Sequence, residues 1–160
     1  MESVTLVTGG TRGIGRAISK KLNEVGFNVA ANFSGNVEAA EKFKKETGIP
    51  IYQWSIGSPE QCELGVKKIE RDLGEISVLV NNAGFANPDK FHQTPMDDEE
   101  RFIRVLGISV ISLTKLFIKQ MLEKKHGRIM IISSVAAFAP PSSIQSLYGP
   151  IKTFMNRFSE

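Results

Sequence analysis

A tyrosine and a lysine four residues apart, Tyr148 and Lys152, are the side chains in this sequence best suited to acid–base chemistry. Residues four apart on a helix share one face, so these two are predicted to be neighbours. An ammonium group beside a phenol favours the phenolate, which lets the phenol exchange a proton near neutral pH. The same spacing also occurs by chance in ordinary helices, so the pair by itself leaves both interpretations open.

A serine upstream of this pair, Ser134, follows an apolar run at positions 128–133 that is typical of a buried strand. Open α/β sheets bind ligands at the carboxyl ends of their strands. The Ser134 hydroxyl is therefore placed where it could hold a substrate carbonyl. The alternative interpretation is an ordinary loop serine, since the chain holds several.

A glycine-rich segment, residues 8–15, lies between an apolar run at 4–7 and a helical pattern that begins at position 16. A strand, a glycine turn and a helix in that order are typical of a phosphate site. Gly9 permits the tight turn, Gly13 lets the backbone approach a pyrophosphate, and Gly15 lets the helix pack closely on the strand. The first N–H groups of the helix, with its dipole, then face the anion. A purely structural turn is the alternative.

Strand-like and helix-like segments alternate along the rest of the chain. The predicted strands are residues 4–7, 28–33, 49–54, 76–80 and 128–133. The predicted helices begin at 16, cover 37–45 and 59–73, begin again at 97, continue as a long helix to 126, and resume at 147. This alternation predicts an α/β fold, a doubly wound parallel sheet of the Rossmann type with strand order 3-2-1-4-5. We expect residues 1–160 to form a single domain.

Composition narrows the class of protein. The 160 residues are 41% hydrophobic and 23% charged, as in a soluble globular protein, and the net charge of +3 is too small to indicate nucleic-acid binding. No apolar run is long enough to span a membrane, and no signal-like segment opens the chain. Cys62 is the only cysteine, which favours a reducing, cytoplasmic location. His92 and His126 lack partners at metal-ligand spacing, so we expect no metal site.

The motifs become specific when they are taken together. The glycine-rich turn at 8–15, Asn-Asn-Ala-Gly at 81–84, Ser134 and the Tyr148–Lys152 pair occur in this order along the chain. In this combination the sequence resembles the short-chain dehydrogenase/reductase family. More narrowly, it is similar to the reductases of 3-oxoacyl thioesters in fatty-acid synthesis and to their acetoacetyl-thioester relatives. The resemblance covers nearly the whole chain.

The resemblance implies a role for each of these residues. Tyr148 would protonate the substrate carbonyl while hydride arrives from the nicotinamide, Lys152 would hold the nicotinamide ribose, and Ser134 would position the substrate. The reaction would be the NADPH-dependent reduction of a 3-oxoacyl thioester, carried by acyl carrier protein or by coenzyme A, to the 3-hydroxyacyl thioester. The residues expected to bind the cofactor are Gly9, Thr11, Arg12, Gly13, Ile14, Gly15, Phe33, Ser34, Asn82, Ala83, Gly84, Tyr148 and Lys152.

Charge near the second strand indicates which nicotinamide cofactor is used. NAD sites place an acid after this strand, whereas NADP sites omit it and supply a cation. Phe33 stands where the acid would be, and Glu24 is the only acidic residue between positions 21 and 37. Arg12 resembles the basic residue of NADP-preferring relatives, although it could also be a solvated loop charge. We therefore expect NADP(H).

Three features depart from the family pattern. Leu106 occupies the position of an asparagine that in the family supports a bend and a water, and we expect leucine to supply neither. Ser55 replaces an adenine-contacting aspartate, and the loop from Ser134 to Tyr148 is one residue longer than usual. Relatives also continue well past position 160, so the fifth strand would be left as an open edge. The alternative is thus a catalytically impaired NADP-binding or assembly subunit, or a fragment, that pairs with an active homologue.

Two surface features bear on partners. Lys124 and Lys125 close the long helix and would complement its C-terminus. In the family a basic residue at the position of Lys125 docks acidic acyl carrier protein, so docking is the second interpretation. The apolar faces of the helices after the fourth strand favour a homo-oligomer, a dimer or a tetramer. No nucleic-acid or membrane partner is expected.

Overall fold

The computed structural model describes residues 3–87, 89–140, 144 and 147–160. The strands are β1 Val4–Val7, β2 Asn28–Phe33, β3 Ile51–Gln53, β4 Ile76–Asn81 and β5 Arg128–Ile131. The helices are α1 Gly13–Glu24, α2 Val37–Thr47, α3 Pro59–Leu73, α4 Met96–Ile103, α5 Ser109–Lys124 and α6 Tyr148–Phe158.

The five strands form one parallel sheet in the order β3-β2-β1-β4-β5. This confirms the predicted topology and strand order. Because β1 and β4 are neighbours whose chain connections leave in opposite directions, their carboxyl ends open a crevice at the centre of the sheet. The glycine turn after β1 and the Asn-Asn-Ala-Gly segment after β4 both lie at that crevice.

Alternating side chains on the strands fill two separate apolar layers. On one face Leu6, Ala30 and Leu79 pack with α3 and α5, which contribute Ile69 and Phe117 among others. On the opposite face a second cluster brings residues of β1, β2 and β4 together with side chains of α1 and α2, namely Val7, Val29, Ala31, Phe43 and Val80. The sheet is therefore covered on both sides, as expected for parallel strands with continuous apolar sequences.

Local chemistry explains where the helices begin. The Asn36 side chain accepts a hydrogen bond from the Ala39 amide at 2.9 Å and caps α2. The Ser58 hydroxyl accepts one from the Gln61 amide at 3.3 Å and caps α3, with Pro59 as the first helical residue. These side chains satisfy amides that have no partner inside the helix.

The helical region after residue 96 contains one turn of π-helix, Arg104–Ile108, between α4 and α5. Leu106 lies inside this turn and is 1% exposed. The Ser109 hydroxyl donates to the Val105 carbonyl at 2.6 Å, at the end of this turn. The helix is therefore widened at Leu106, and the expectation that leucine supports no bend stays a prediction. A leucine side chain still offers no polar group to hold a water.

Some strand ends differ from the predicted ones by one or two residues. β3 is shorter than residues 49–54, because Pro50 has no amide to donate and contributes only its carbonyl, which accepts from Ala31 at 3.0 Å. β5 stops at Ile131, although the Ile132 amide still donates to Asn81 at 2.9 Å. β5 is an edge of the sheet in the described part of the chain, and its Met130 is 53% exposed.

None of the helices described has the length and hydropathy needed to cross a bilayer.

Candidate functional site

The glycine turn after β1 has the backbone that a close approach to a ligand requires. Gly9 and Gly13 have φ of 62° and 52°, in the left-handed region where a side chain would be strained. A Cβ on Gly15 would overlap the Gly9 carbonyl, so only glycine fits at that point. A Cβ on Gly13 would instead point into open space. The turn thus leaves the N-terminus of α1 uncovered.

A cavity of about 540 Å³ opens in front of this turn. It is lined by every residue predicted to bind the cofactor except Tyr148 and Lys152: Gly9, Thr11, Arg12, Gly13, Ile14, Gly15, Phe33, Ser34, Asn82, Ala83 and Gly84. Asn81, which precedes this segment, is 3% exposed and lies inside the sheet. The cavity therefore lies at the carboxyl ends of β1, β2 and β4, beside the start of α1.

The charges around the cavity favour an anion. Among the described residues its lining includes Arg12 and Arg101 and no Asp or Glu. Arg12 precedes the first residue of α1 and is exposed, and its guanidinium makes no hydrogen bond or ion pair with the residues that the structure describes. Arg101 lies 3.2 Å from Asp98 and 4.9 Å above the Phe85 ring. An anionic ligand would supply the counter-charge that Arg12 lacks among the described residues.

Thr8 and Asn82 fix the two loops that form the mouth of the cavity. The Thr8 hydroxyl accepts hydrogen bonds from the amides of Asn82 and Ala83 at 2.9 and 3.0 Å, and donates to the Val80 carbonyl at 3.2 Å. The Asn82 amide group donates to the Thr8 carbonyl at 2.9 Å. The crevice between β1 and β4 is therefore held at a set width before any ligand binds.

Sequence reasoning missed Asn32, a buried residue on β2 that lines the same cavity. Its carbonyl accepts from the Gly10 amide at 2.9 Å, and its side chain accepts from the Gly9 amide at 3.4 Å and donates to the Trp54 carbonyl at 3.1 Å. It ties the glycine turn to β2 and to the segment after β3. A polar residue inside an otherwise apolar strand was the signal available in the sequence.

Ser55, which the resemblance predicts to replace an aspartate of the family, also lines the cavity. Its backbone amide donates to the Gln61 side-chain oxygen at 2.9 Å. The structure thus keeps a hydroxyl at this position but no charge.

Lys152 is buried at the start of α6, with 6% of its surface exposed. Its ammonium donates to the Ile132 carbonyl at 2.8 Å and lies 5.7 Å from the centre of the Tyr148 ring. Burial lowers the pKa of Lys152, because removal of water penalises the charged form. An ammonium has three donors, so two remain for a ligand or for a neighbouring oxygen.

Tyr148 and Lys152 lie on one face of α6, as the spacing predicts. The Tyr148 ring is half-buried and lies 6.4 Å from the Phe102 ring of α4, at an interplanar angle of 56°. It lines a narrow crevice of its own, separate from the cavity over β1 and β2. The cavity beside the glycine turn and the narrow crevice beside Tyr148 are therefore two separate openings.

Ser134 follows β5 and opens a short 3-10 turn, Val135–Ala137. Its hydroxyl oxygen accepts from the Ala136 amide at 3.2 Å, which leaves its proton free to donate. The turn packs on α6, where the Thr153 hydroxyl donates to the Ala137 carbonyl at 3.0 Å. The fold thus brings the end of β5 against the helix that carries the tyrosine and the lysine. Much of the loop between them, residues 141–143, 145 and 146, lies outside the described residues, so the predicted extra residue stays a prediction.

The lysines that close the long helix have different surroundings. Lys124 is paired with Glu75, while Lys125 is exposed and adopts φ of 50° after the last helical residue. Lys125 lines a groove of about 400 Å³ whose apolar side chains include Ile118, Leu122 and Ile129.

In the described part of the chain no three His, Cys, Asp or Glu side chains are placed to hold a metal ion, and His92 and His126 are exposed.

Comparison with protein families gives a match to the short chain dehydrogenase family over residues 3–160. Among curated proteins, acetoacetyl-CoA reductase from Paracoccus denitrificans is 44% identical over 135 residues, covering 84% of this chain and 56% of that protein. A 3-oxoacyl-[acyl-carrier-protein] reductase from Staphylococcus aureus is 31% identical over 140 residues, covering 84% and 57%. The chain thus spans little more than half the length of these relatives.

Solved structures give the same fold. Serine dehydrogenase from Escherichia coli superimposes with a TM-score of 0.86 at 29% identity, over 98% of this chain and 73% of that one. A closed form of serine dehydrogenase complexed with NADP+ gives a TM-score of 0.87 at 29% identity, over 98% and 63%.

Proposed function

Because the chain belongs to the short-chain dehydrogenase family, we propose that it binds NADP(H) and reduces a 3-oxoacyl thioester to the 3-hydroxyacyl thioester. The observation that carries the proposal is the lysine–tyrosine pair on α6, with a buried ammonium 5.7 Å from the phenol ring. The names of the acetoacetyl-CoA and 3-oxoacyl reductases support the thioester as substrate. The complex of serine dehydrogenase with NADP+ supports the cofactor.

The glycine turn and the cavity fit the adenosine half of such a cofactor. Its phosphates would meet the amides at the start of α1, and its 2′-phosphate would pair with Arg12. Phe33 and Ser34 would lie beside the adenosine ribose, and Asn82, Ala83 and Gly84 would line the opposite wall. When bound, the reduced nicotinamide supplies the hydride that the carbonyl carbon receives.

The residues of the chain itself supply the proton and the orientation. The Ser134 hydroxyl, whose oxygen already accepts from Ala136, donates a hydrogen bond to the substrate carbonyl and fixes its direction without giving up its proton. The Tyr148 hydroxyl gives its proton to the same oxygen as negative charge develops there. The Lys152 ammonium stabilises the phenolate that remains, and its spare donors hold the nicotinamide ribose.

Replacement of the phenol by a phenyl group tests this assignment. We expect Tyr148→Phe to lower kcat for NADPH-dependent reduction of an acetoacetyl thioester by about 10²-fold or more, since the general acid is removed. The matched control is Tyr52→Phe, because Tyr52 is the other of the two tyrosines and lies in the core, 3.4 Å from Asp72. Equal rates for wild type and Tyr148→Phe would contradict the catalytic role.

The alternative is a catalytically impaired subunit or fragment that binds NADP(H) and pairs with an active homologue. Leu106 favours it, since this buried side chain offers no polar group beside the site. The reductase assay with the acetoacetyl thioester separates the active enzyme from this alternative, because the alternative requires NADPH binding without turnover. Self-association as a dimer or a tetramer, and a cytoplasmic location, stay predictions.

We also propose that an acyl carrier protein docks at Lys125. The groove beside Lys125 combines apolar side chains with the charge of Arg128, a surface suited to an acidic helix with an apolar stripe. Lys124 is less available, because Glu75 already neutralises it.

A further inference from the structure

Asn32 is a buried polar residue of β2 whose side chain is bonded to two different loops of the cavity. It is 2% exposed. Its side-chain oxygen accepts from the Gly9 amide of the glycine turn, over a long distance of 3.4 Å. Its side-chain nitrogen donates to the Trp54 carbonyl at 3.1 Å, in the segment of residues 54–56 that follows β3. Both loops line the cavity, so one side chain connects two parts of its wall.

An amide is the chemical group that these contacts require. The nitrogen of Asn32 also lies 3.3 Å from the Phe33 carbonyl and 3.5 Å from the Tyr52 carbonyl, so it faces acceptors, while the oxygen faces an N–H donor. A carboxylate of the same shape could not donate to these carbonyls. An apolar side chain would remove both kinds of hydrogen bond inside the protein.

Each loop also has a backbone hydrogen bond that is independent of this side chain. The Gly10 amide donates to the backbone carbonyl of Asn32 at 2.9 Å, and the Trp54 amide donates to the Phe33 carbonyl at 3.0 Å. The regular pairing of β3 with β2 ends at Gln53, before the 54–56 segment. Removal of the Asn32 side chain should therefore leave each loop folded and release the distance between the two loops.

We infer that Asn32 is a positioning residue that sets the spacing between the glycine turn and the 54–56 segment, so that the chain selects ligands long enough to contact both. The inference rests on the proposed function for the ligand, since the phosphates of NADP(H) would lie at the glycine turn and its nucleobase at the 54–56 segment. With the spacing fixed in advance, the second contact forms without further ordering of the protein. A ligand that contacts one loop gains nothing from this spacing.

Three ligands separate a role in spacing from a role in stability alone. 2′-Phospho-ADP-ribose, which is NADP without its nicotinamide, would contact both loops, whereas pyrophosphate would contact only the glycine turn and adenosine only the 54–56 segment. Titration of the full chain, followed by amide NMR spectra, gives a Kd for each. We expect Asn32→Ala to weaken binding of 2′-phospho-ADP-ribose by about tenfold, and binding of each fragment by less than about threefold.

Phe117→Leu is the control, because Phe117 is 1% exposed in the core on α5 and is not among the described residues that line the cavity. It should leave the ratios of the three affinities unchanged. The inference is overturned if Asn32→Ala weakens all three ligands equally, or if it leaves 2′-phospho-ADP-ribose unaffected.

If Asn32→Ala does not fold, hydrogen exchange of the ligand-free wild type decides the question. A Gly9 amide protected from exchange supports the bond to Asn32 on which the spacing depends. A Gly9 amide that exchanges as fast as an amide of the unfolded chain overturns the inference.

These outcomes are distinguishable from failure of the proposed function. A selective loss of 2′-phospho-ADP-ribose binding in Asn32→Ala, with no NADPH consumption by the wild type, would keep the role of Asn32 and remove the reductase. NADPH consumption that depends on Tyr148, with equal weakening of the three ligands in Asn32→Ala, would keep the reductase and remove this role.

Discussion

Lys152 is held at both ends by two consecutive residues that follow β5. The Ile132 carbonyl accepts from its ammonium, and the Ser133 hydroxyl donates to its backbone carbonyl at 3.2 Å. The side chain is thus fixed in direction and the helix in rotation. The positive charge of Lys152 is what would act on Tyr148, and burial raises the free energy of this charged form.

That cost makes stability depend on pH. Because burial lowers the pKa of Lys152, the unfolded chain binds more protons than the folded chain between the folded-state pKa and the ordinary lysine value of about 10.4. The free energy of unfolding therefore rises with pH across that interval, and the penalty is fully present below it. Lys152→Met should remove this rise and lower reductase activity by about 10²-fold.

Chemical denaturation at a series of alkaline pH values measures the effect. Lys67→Met, at an exposed lysine on α3, is the matched control and should keep the slope of the wild type. A slope that is the same in Lys152→Met and in the wild type would show that the buried ammonium contributes nothing to it.

At the scale of elements, α1 packs closely on the turn after β1 because Gly15, in the first turn of the helix, has no side chain. Gly15 lies against the Gly9 carbonyl and close to the Asn82 amide group. This packing places the start of the helix at the cavity, so the same contact serves stability and ligand binding.

An added methyl group should separate the helix from the turn. We expect Gly15→Ala to destabilise the chain by about 1–3 kcal/mol, because the clash is with backbone and not with a movable side chain. It should also weaken NADPH binding, measured by titration of cofactor fluorescence. Gly35→Ala, where an added Cβ meets no atom within 4 Å, should change the stability by less than about 0.5 kcal/mol. Equal effects of the two changes would refute the packing argument.

The π turn between α4 and α5 is the other element that matters to the site. Gly84 lies beside it, since a Cβ on Gly84 would be 3.6 Å from the Leu106 Cγ. The turn contacts the loop after β4 through the apolar side chain of Leu106, at the position where the resemblance predicts an asparagine in the family.

At the scale of the whole molecule, the two ends of the sheet offer different surfaces. The carboxyl ends of the strands carry the cavity and the tyrosine crevice. The opposite end carries the groove beside Lys125, where α5 ends and β5 begins. A partner that docks in this groove would not cover the candidate active site.

Charge reversal at this end tests the docking proposal. We expect Lys125→Glu to weaken binding of an acyl carrier protein by about tenfold, since a favourable charge pair becomes a repulsive one. Surface plasmon resonance at low salt measures the affinity. Lys119→Glu, at an exposed position elsewhere on α5, is the control and should change it by less than about threefold. Unaltered affinity of Lys125→Glu would exclude this groove.

The sequence by itself determined the order of the strands, the glycine turn and the pairing of Tyr148 with Lys152. These depend on short-range rules: the period of apolar residues, the conformational freedom of glycine and the four-residue repeat of a helix. Arg12 and Asn82, which the family resemblance predicts to bind the cofactor, both line the cavity, and their role in binding stays a prediction.

Only the tertiary structure showed the role of Asn32, the π turn at Leu106 and the crevice that joins Glu99 to Tyr148. The contacts of Asn32 and the crevice depend on residues that are far apart in sequence, and a side chain's burial is a property of everything packed around it. Glu99 reads in the sequence as one of four consecutive acidic residues at a helix start. Folding is what turns it away from solvent and brings it to the tyrosine.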